Sequence, residues 1–349
     1  MRMEGEFVMK PVGFAIAGSG MVADVQATAL QEIEEARLIG VWSYTPGKTK
    51  KFADQYHIKG YQSYEDLLRD HDVQGVIVCL PSGYHAEYGV KAAASGKHVI
   101  VEKPIDISIH KARSLIEECR KNQVKLSVIF QYRFTPAARK IREAIDQGLL
   151  GKLILGDAHV KWYRSPEYYL SNPWRGSKAI DGGGALMMQA IHTIDLLQWF
   201  MGGVKSVMGT VKTFIHKIDS EDLGVAAVEY VNGAVGVIEG STAIQPSFKE
   251  RIEIHGEKGS IILEGGSIKE WKVEDCNEAD YVDAQKVVYG SSSSPAISHV
   301  NHKAQLQNII HAIRNNQEPL VNGEEGLKSL QIVLGIYRSS ENGQRIELG

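Results

Sequence analysis

A chain of 349 residues is long for one compact domain and fits about two of ~150 residues each. Its 43% hydrophobic and 23% charged residues are those of an ordinary soluble globular protein. A net charge of -3 leaves no basic field to draw in nucleic acid or an anionic membrane. Three widely spaced cysteines, Cys79, Cys119 and Cys276, include no Cys-x-x-Cys pair, so neither a metal site nor a dithiol centre is expected and a reducing cytoplasm fits. Arg2, Glu4 and Glu6 precede no long apolar core, and no stretch of ~18 apolar residues offers a bilayer span.

The first predicted element is a short apolar strand, Pro11 to Ala17, followed at once by Gly18-Ser19-Gly20-Met21-Val22-Ala23. This is a Gly-x-Gly-x-x-Ala fingerprint in its proper setting. Gly18 permits the tight turn, Gly20 lets a pyrophosphate approach the backbone, and Ala23 lets the helix over 22–33 pack close to the strand. The phosphates are then expected over the free amides near Met21 and Val22. The next strand, Ala36 to Trp42, ends where an acidic residue usually holds the ribose 2'-hydroxyl of NAD, yet here stand Ser43, Tyr44 and Thr45 with Lys48, Lys50 and Lys51 beyond. With no carboxylate to repel it, a 2'-phosphate is acceptable to Ser43, Thr45 and Lys48, and the reading leans to NADP; a solvated lysine loop that touches nothing is the alternative.

Helices over 48–56 and 64–69 and a strand over 75–80 continue an alternating pattern that implies a parallel sheet. Leu80, Pro81 and Ser82 end that strand on the cofactor side. His85 follows on a helical stretch, either as a cofactor contact or as a packed or capping histidine. The run Val99-Ile100-Val101 suits a strand covered on both faces and delivers Glu102-Lys103-Pro104 to the carboxyl edge, where open α/β sheets bind ligands. Pro104 stiffens the backbone behind Lys103. A helix over 109–121 and a last strand over 125–130 complete a doubly wound Rossmann domain, assigned residues 1–130. Arg133, leaving that edge, either reaches a polar substrate or ties the two domains together.

After a helix over 136–147 the periodicity changes. Strands are predicted over 154–162, 204–214, 224–230, 234–241, 251–255, 260–263, 268–273 and 286–289, with Asn232-Gly233 and Glu257-Lys258-Gly259 as hairpin turns. Ser291 to Ser294 reads as a flexible loop, and helices over 299–315 and 324–341 close the domain. Residues 131–349 thus form a large, mostly antiparallel sheet with helices on one face, the other left for a partner subunit. One helical insertion interrupts the strands: Asp181-Gly182-Gly183-Gly184 opens a helix over 185–201 whose residues 188, 192 and 195 share a face. A histidine at 192 is either a satisfied core residue or a site residue. Glycine triplets are costly unless the backbone bends or a ligand closes in, and Tyr163, Trp174 and Arg175 in the preceding segment suit sugars or domain packing.

Together, Gly18-x-Gly20-x-x-Ala23, Glu102-Lys103-Pro104, Arg133-Phe134, Trp174-Arg175-Gly176 and Gly182-Gly183-Gly184…His192-x-x-Asp195 resemble the Gfo/Idh/MocA oxidoreductases, over essentially the whole chain. The resemblance implies a Rossmann domain joined to an open-faced antiparallel sheet and a homodimer or homotetramer through that sheet. It also implies NAD(P)(H) as cofactor and a sugar, cyclitol or derivative as substrate. Lys103 and His192 take the acid/base positions. Glu102 and Lys103 then also border the cofactor, and Lys103, Arg133, Tyr163, Trp174, Arg175, Met188 and His192 the substrate. Met188 departs from the family, whose members commonly carry Asp or Asn there. The alternative function is a silent nucleotide- and sugar-binding sensor of the same fold.

Overall fold

The computed structural model describes residues 10–282 and 298–349. Its first sheet is parallel throughout, built from β1 (Val12–Ala17), β2 (Ala36–Trp42), β3 (Lys59–Gly60), β4 (Gly75–Val78), β5 (His98–Val101) and β6 (Leu126–Val128). The order is β3-β2-β1-β4-β5-β6, so it reverses between β1 and β4, and the carboxyl ends of those two strands frame the crevice where such sheets bind ligands. Alternation sends Phe14 and Ile16 to one face and Ala15 and Ala17 to the other, each face being buried in its own apolar cluster. Helices α1 (Met21–Gln31), α2 (Pro46–Tyr56), α3 (Tyr64–Arg69), α4 (His85–Ala94) and α5 (Ile109–Lys121) run between the strands.

The second sheet comprises β7 (Leu153–Lys161), β8 (Val204–Lys212), β9 (Leu223–Tyr230), β10 (Val235–Ser241), β11 (Arg251–Gly256), β12 (Gly259–Glu264), β13 (Ser267–Val273) and β14 (Ile346–Glu347). Its order is β13-β12-β11-β7-β10-β9-β8-β14, antiparallel except where β10 runs parallel to β7. Ala158, Val160, Val228, Ile238, Ile252 and Ile254 are buried on one face, whereas Met208, Val225, Val235 and Val237 are exposed on the strands' other side. The strand expected over 286–289 and the loop over 291–294 lie outside the described residues.

Five further helices complete the described chain: α6 (Pro136–Asp146), α7 (Pro166–Leu170), α8 (Ile191–Met201), α9 (Val300–Arg314) and α10 (Gly323–Asn342). The helix expected over 185–201 is split, because its first six residues, Ala185–Ala190, form a wider π-helical turn before α8 begins. The last two helices do not both close the second domain. Leu306, Ile309 and Ile310 of α9 lie in the cluster of Phe14, Ile16 and Ile100, and Gln305 bonds Phe130 N at 3.1 Å and Val128 O at 2.8 Å. An apolar stripe at i, i+3, i+4 marks a face to be covered without saying which sheet covers it.

Candidate active site

The glycine turn follows β1 without a break. Gly18 has φ +128°, and a Cβ there would lie 2.3 Å from the carbonyl oxygen of Cys79 at the end of β4, so only glycine fits. Gly20 is the N-cap of α1 and no side chain caps the helix; a Cβ at Gly20 would meet nothing within 4 Å. Open space in front of uncapped first-turn amides at Met21 and Val22 suits a diphosphate. At the neighbouring end of β2, Ser43 Oγ lies 3.0 Å from Ser19 Oγ and 2.8 Å from Thr49 Oγ1, so this hydroxyl borders the glycine turn itself. Thr45 and Lys48 are exposed at the start of α2. Leu80, Pro81 and Ser82 leave β4 on the same edge, with Ser82 buried.

His85 is not available to a cofactor. It is buried, and its Nδ1 and Nε2 each lie 2.7 Å from a carbonyl oxygen, those of Pro104 and Leu80. The ring pins two strand-end segments together, which is the packed reading. Glu102 is buried too. Its Oε1 accepts from Gln26 Nε2 at 2.7 Å and its Oε2 from Lys103 N at 3.3 Å, and burial pushes its pKa up to about 6. Glu102 therefore links the end of β5 to α1.

Lys103 Nζ donates to the carbonyl oxygen of Met188 at 2.8 Å. Position 188 thus enters the site through its main chain, from the π-helical turn, a bond that side-chain reasoning does not reveal. Burial lowers the Lys103 pKa, the carboxylates of Glu102 and Asp181 pull it back up, and the Arg164 guanidinium pushes it down again. His192 packs against Tyr132 at 4.8 Å and Phe130 at 5.7 Å between ring centroids, with Nδ1 buried and without a partner. Burial, with the Lys103 charge adding to it, holds the imidazole well below its usual pKa, so the ring is neutral at pH 7.

Asp181, given no role in the sequence beyond opening a helix with the glycine triplet, is a site residue. It is 2% exposed, its Oδ2 accepts from Gly176 N at 3.1 Å, and burial raises its pKa to about 6 while Lys103 and Arg175 hold it down. A carboxylate directly before a glycine triplet was the available signal. The triplet has its own cause: Glu221 accepts from Gly184 N at 2.9 Å and Leu186 N at 2.8 Å, and a Cβ on Gly184 would lie 1.8 Å from the Glu221 carbonyl oxygen. This buried carboxylate orients the turn that carries Met188.

Arg133 does not face substrate. It is fully buried, with Nε and Nη2 each donating to Asp195 at 2.7 Å and Nη1 to Glu325 at 2.8 Å, so it ties the segment leaving β6 to α8 and α10, within residues 131–349, and not one domain to the other. Three of its five N–H donors are taken by α8 and α10. Arg175 instead lies over the Tyr168 ring, 4.2 Å from its centroid, and its Nη1 donates to Tyr168 O at 3.0 Å. Tyr163 and Trp174 are half-buried in the same segment.

A parallel sheet with an uncapped glycine turn at its switch point, and a lysine and neutral histidine gathered at the same edge, defines a nicotinamide-dependent oxidoreductase. Comparison with known proteins agrees. Residues 12–130 match the family model described as "Oxidoreductase family, NAD-binding Rossmann fold", and residues 138–262 match that of the GFO/IDH/MocA C-terminal domain. The WlbA dehydrogenase from Bordetella pertussis, crystallised with NADH and UDP-GlcNAcA, is 30% identical with a TM-score of 0.88, covering 97% of this chain and 99% of that one. A putative NADPH-dependent oxidoreductase from Desulfitobacterium hafniense is 27% identical with a TM-score of 0.85, covering 98% and 99%. The myo-inositol 2-dehydrogenase of Thermotoga maritima is 25% identical over 339 residues, 95% of this chain and 97% of the relative. The chain belongs to the Gfo/Idh/MocA family of oxidoreductases.

Proposed function

We propose that the protein catalyses hydride exchange between NAD(P)(H) and a secondary alcohol or ketone carbon of a sugar, cyclitol or sugar derivative. The observation that carries this is the anchoring of Lys103 on Met188 O at the carboxyl edge that also bears the open glycine turn. The nicotinamide, when bound, supplies the hydride acceptor or donor. Gly18, Gly20 and the amides of Met21 and Val22 would hold the diphosphate, with Ser43 at the ribose end. The proton is the chain's own business. In alcohol oxidation, Lys103 Nζ in its amine form takes the hydroxyl proton and returns it in ketone reduction; an ordinary lysine near pKa 10.4 is a poor base, and burial moves this one the right way. Neutral His192 orients the same oxygen. Relatives with inositol and levoglucosan dehydrogenase activity support a polyol substrate, and their activity supports an enzyme over a silent sensor.

Three finer readings belong here. NADP is accepted at least comparably with NAD, because no carboxylate stands among Ser43, Tyr44 and Thr45 and Lys48 is close in sequence. Residues up to 130 serve the cofactor and those from 131 the substrate and assembly, the sheet bearing Val235 and Val237 pairing subunits into a homodimer or homotetramer. The free cysteines suit a reducing cytoplasm, and no described helix is long and apolar enough to cross a membrane. Absorbance at 340 nm with polyols, aldoses, anhydrosugars and sugar nucleotides, each with NAD and NADP, tests the activity. Absence of turnover across that panel would refute it.

A further inference from the structure

The segment facing Lys103 carries more positive charge than a neutral polyol requires. Arg164 is held by its main chain, whose N–H donates to Thr242 O at 3.0 Å and whose carbonyl accepts from His216 Nε2 at 2.8 Å. From that fixed backbone its guanidinium lies over the Tyr168 ring, 5.2 Å from the centroid. Arg175 lies over the same ring. Neither guanidinium makes an ion pair with a carboxylate among the described residues; their side-chain donors reach only main-chain oxygens and Ser171 Oγ, and Arg164 Nε is buried with no partner at all. Tyr168 in turn is wired to the catalytic lysine. Its hydroxyl accepts from Gln189 Nε2 at 3.0 Å, and Gln189 follows Met188, the residue whose carbonyl holds Lys103. Gln189 Oε1 is likewise buried and unpartnered.

Two like charges over one ring, one of them partly desolvated, repel each other and Lys103, and the Asp181 carboxylate, whose pKa burial raises to about 6, offsets only part of that positive charge. Such an arrangement is stable in use when an anion completes it, and a planar guanidinium matches the paired oxygens of a carboxylate or phosphate.

We propose that the substrate is an anionic sugar, whose carboxylate or phosphate is received by Arg164 and Arg175 beside Tyr168 while the reacting hydroxyl lies at Lys103. This rests on the dehydrogenase reading and narrows its substrate class. Arg164 is then a specificity residue that neither the glycine turn nor the lysine motif points to.

The test uses matched sugars on the intact protein: neutral glucose against anionic glucuronate and glucose 6-phosphate, at 340 nm with both cofactors. The expected result is a kcat/KM at least tenfold higher for an anionic member than for its neutral counterpart, falling with added salt. Glucuronate against glucose 6-phosphate tells carboxylate from phosphate. Arg164→Met and Arg175→Met should each cut the anionic-to-neutral ratio at least tenfold, mainly through KM. Arg164→Lys, which keeps the charge without the fork and folds more safely, should lose less. Equal use of neutral and anionic members, or a ratio untouched in both Met variants, would overturn the proposal. If no sugar turns over, the fluorescence of bound NADH decides: quenching by the anionic members alone, lost in the Met variants, upholds the anion site while the dehydrogenase reading fails. Quenching by both classes alike, or by neither, overturns the anion site as well.

Discussion

Lys103 and Asp181 carry opposite expectations for substitution. Lys103→Met keeps most of the side chain's length and removes both the transferable proton and the bond to Met188 O. Turnover in steady-state assays should fall by ~10²-fold or more, while NADH affinity, which rests on the glycine turn, stays within about threefold; near-normal turnover would dismiss Lys103 as the proton carrier. Asp181→Asn preserves an acceptor for Gly176 N–H but removes a negative charge that favours the Lys103 ammonium. The lysine pKa should therefore drop, and the acidic limb of kcat for alcohol oxidation should move to lower pH. An unmoved limb would mean that Asp181 is structural only. Lys103 was legible in the sequence because its strand, proline and sheet edge are local features. Asp181 was not, because its partner lies in the other domain and only tertiary packing brings the two charges within range.

At the scale of elements, the proposed cofactor preference is tested at the end of β2. Ser43 Oγ lies 3.0 Å from Ser19 Oγ of the glycine turn, so under the proposed cofactor placement a carboxylate at this position would stand by the ribose. Ser43→Asp should shift the ratio of kcat/KM values towards NAD by about tenfold or more, through repulsion of a 2'-phosphate. An unmodified protein that binds NAD more than about a hundredfold tighter than NADP would contradict the reading behind it. Strands were read from the sequence to within a residue or two where alternation or β-branched runs reported their burial, as in β4, β5 and β9. The π-helical turn before α8 was not. Nothing in Ala185–Ala190 distinguishes it from an ordinary helix; the buried carboxylate of Glu221, which bonds its first amides, comes from a loop that the chain reaches only after β8.

A charge cluster fastens the segment leaving β6 to α8 and α10. Arg133 and Asp195 are 0% and 1% exposed in their side chains, with Glu325 as the third member. Arg133→Met would leave the Asp195 carboxylate buried without a counter-charge, which costs ~3–5 kcal/mol. The urea midpoint should fall markedly, and Arg133→Met combined with Asp195→Leu should recover much of it; a midpoint unchanged in the single variant would show that the cluster contributes nothing net. The exposed sheet face makes a separate demand. Val225, Val235, Val237 and Met208 together form an apolar strip, and light scattering at micromolar concentration should report a dimer or tetramer. A clean monomer would refute assembly through this face.

The position of α9 also bears on how the protein is made. A ribosome emits β1 to β6 first, yet one face of that sheet receives Leu306, Ile309 and Ile310 only when α9 appears, 300 − 128 = 172 residues after β6 ends. At ~5–20 residues per second that interval is roughly ten to thirty seconds. During it the nascent nucleotide half presents Phe14 and Ile16 beneath an incomplete cover, a surface of the kind that holding chaperones occupy. Helix α1, whose Ala23, Ala27 and Leu30 share that cluster, therefore gains its α9 packing only late in synthesis.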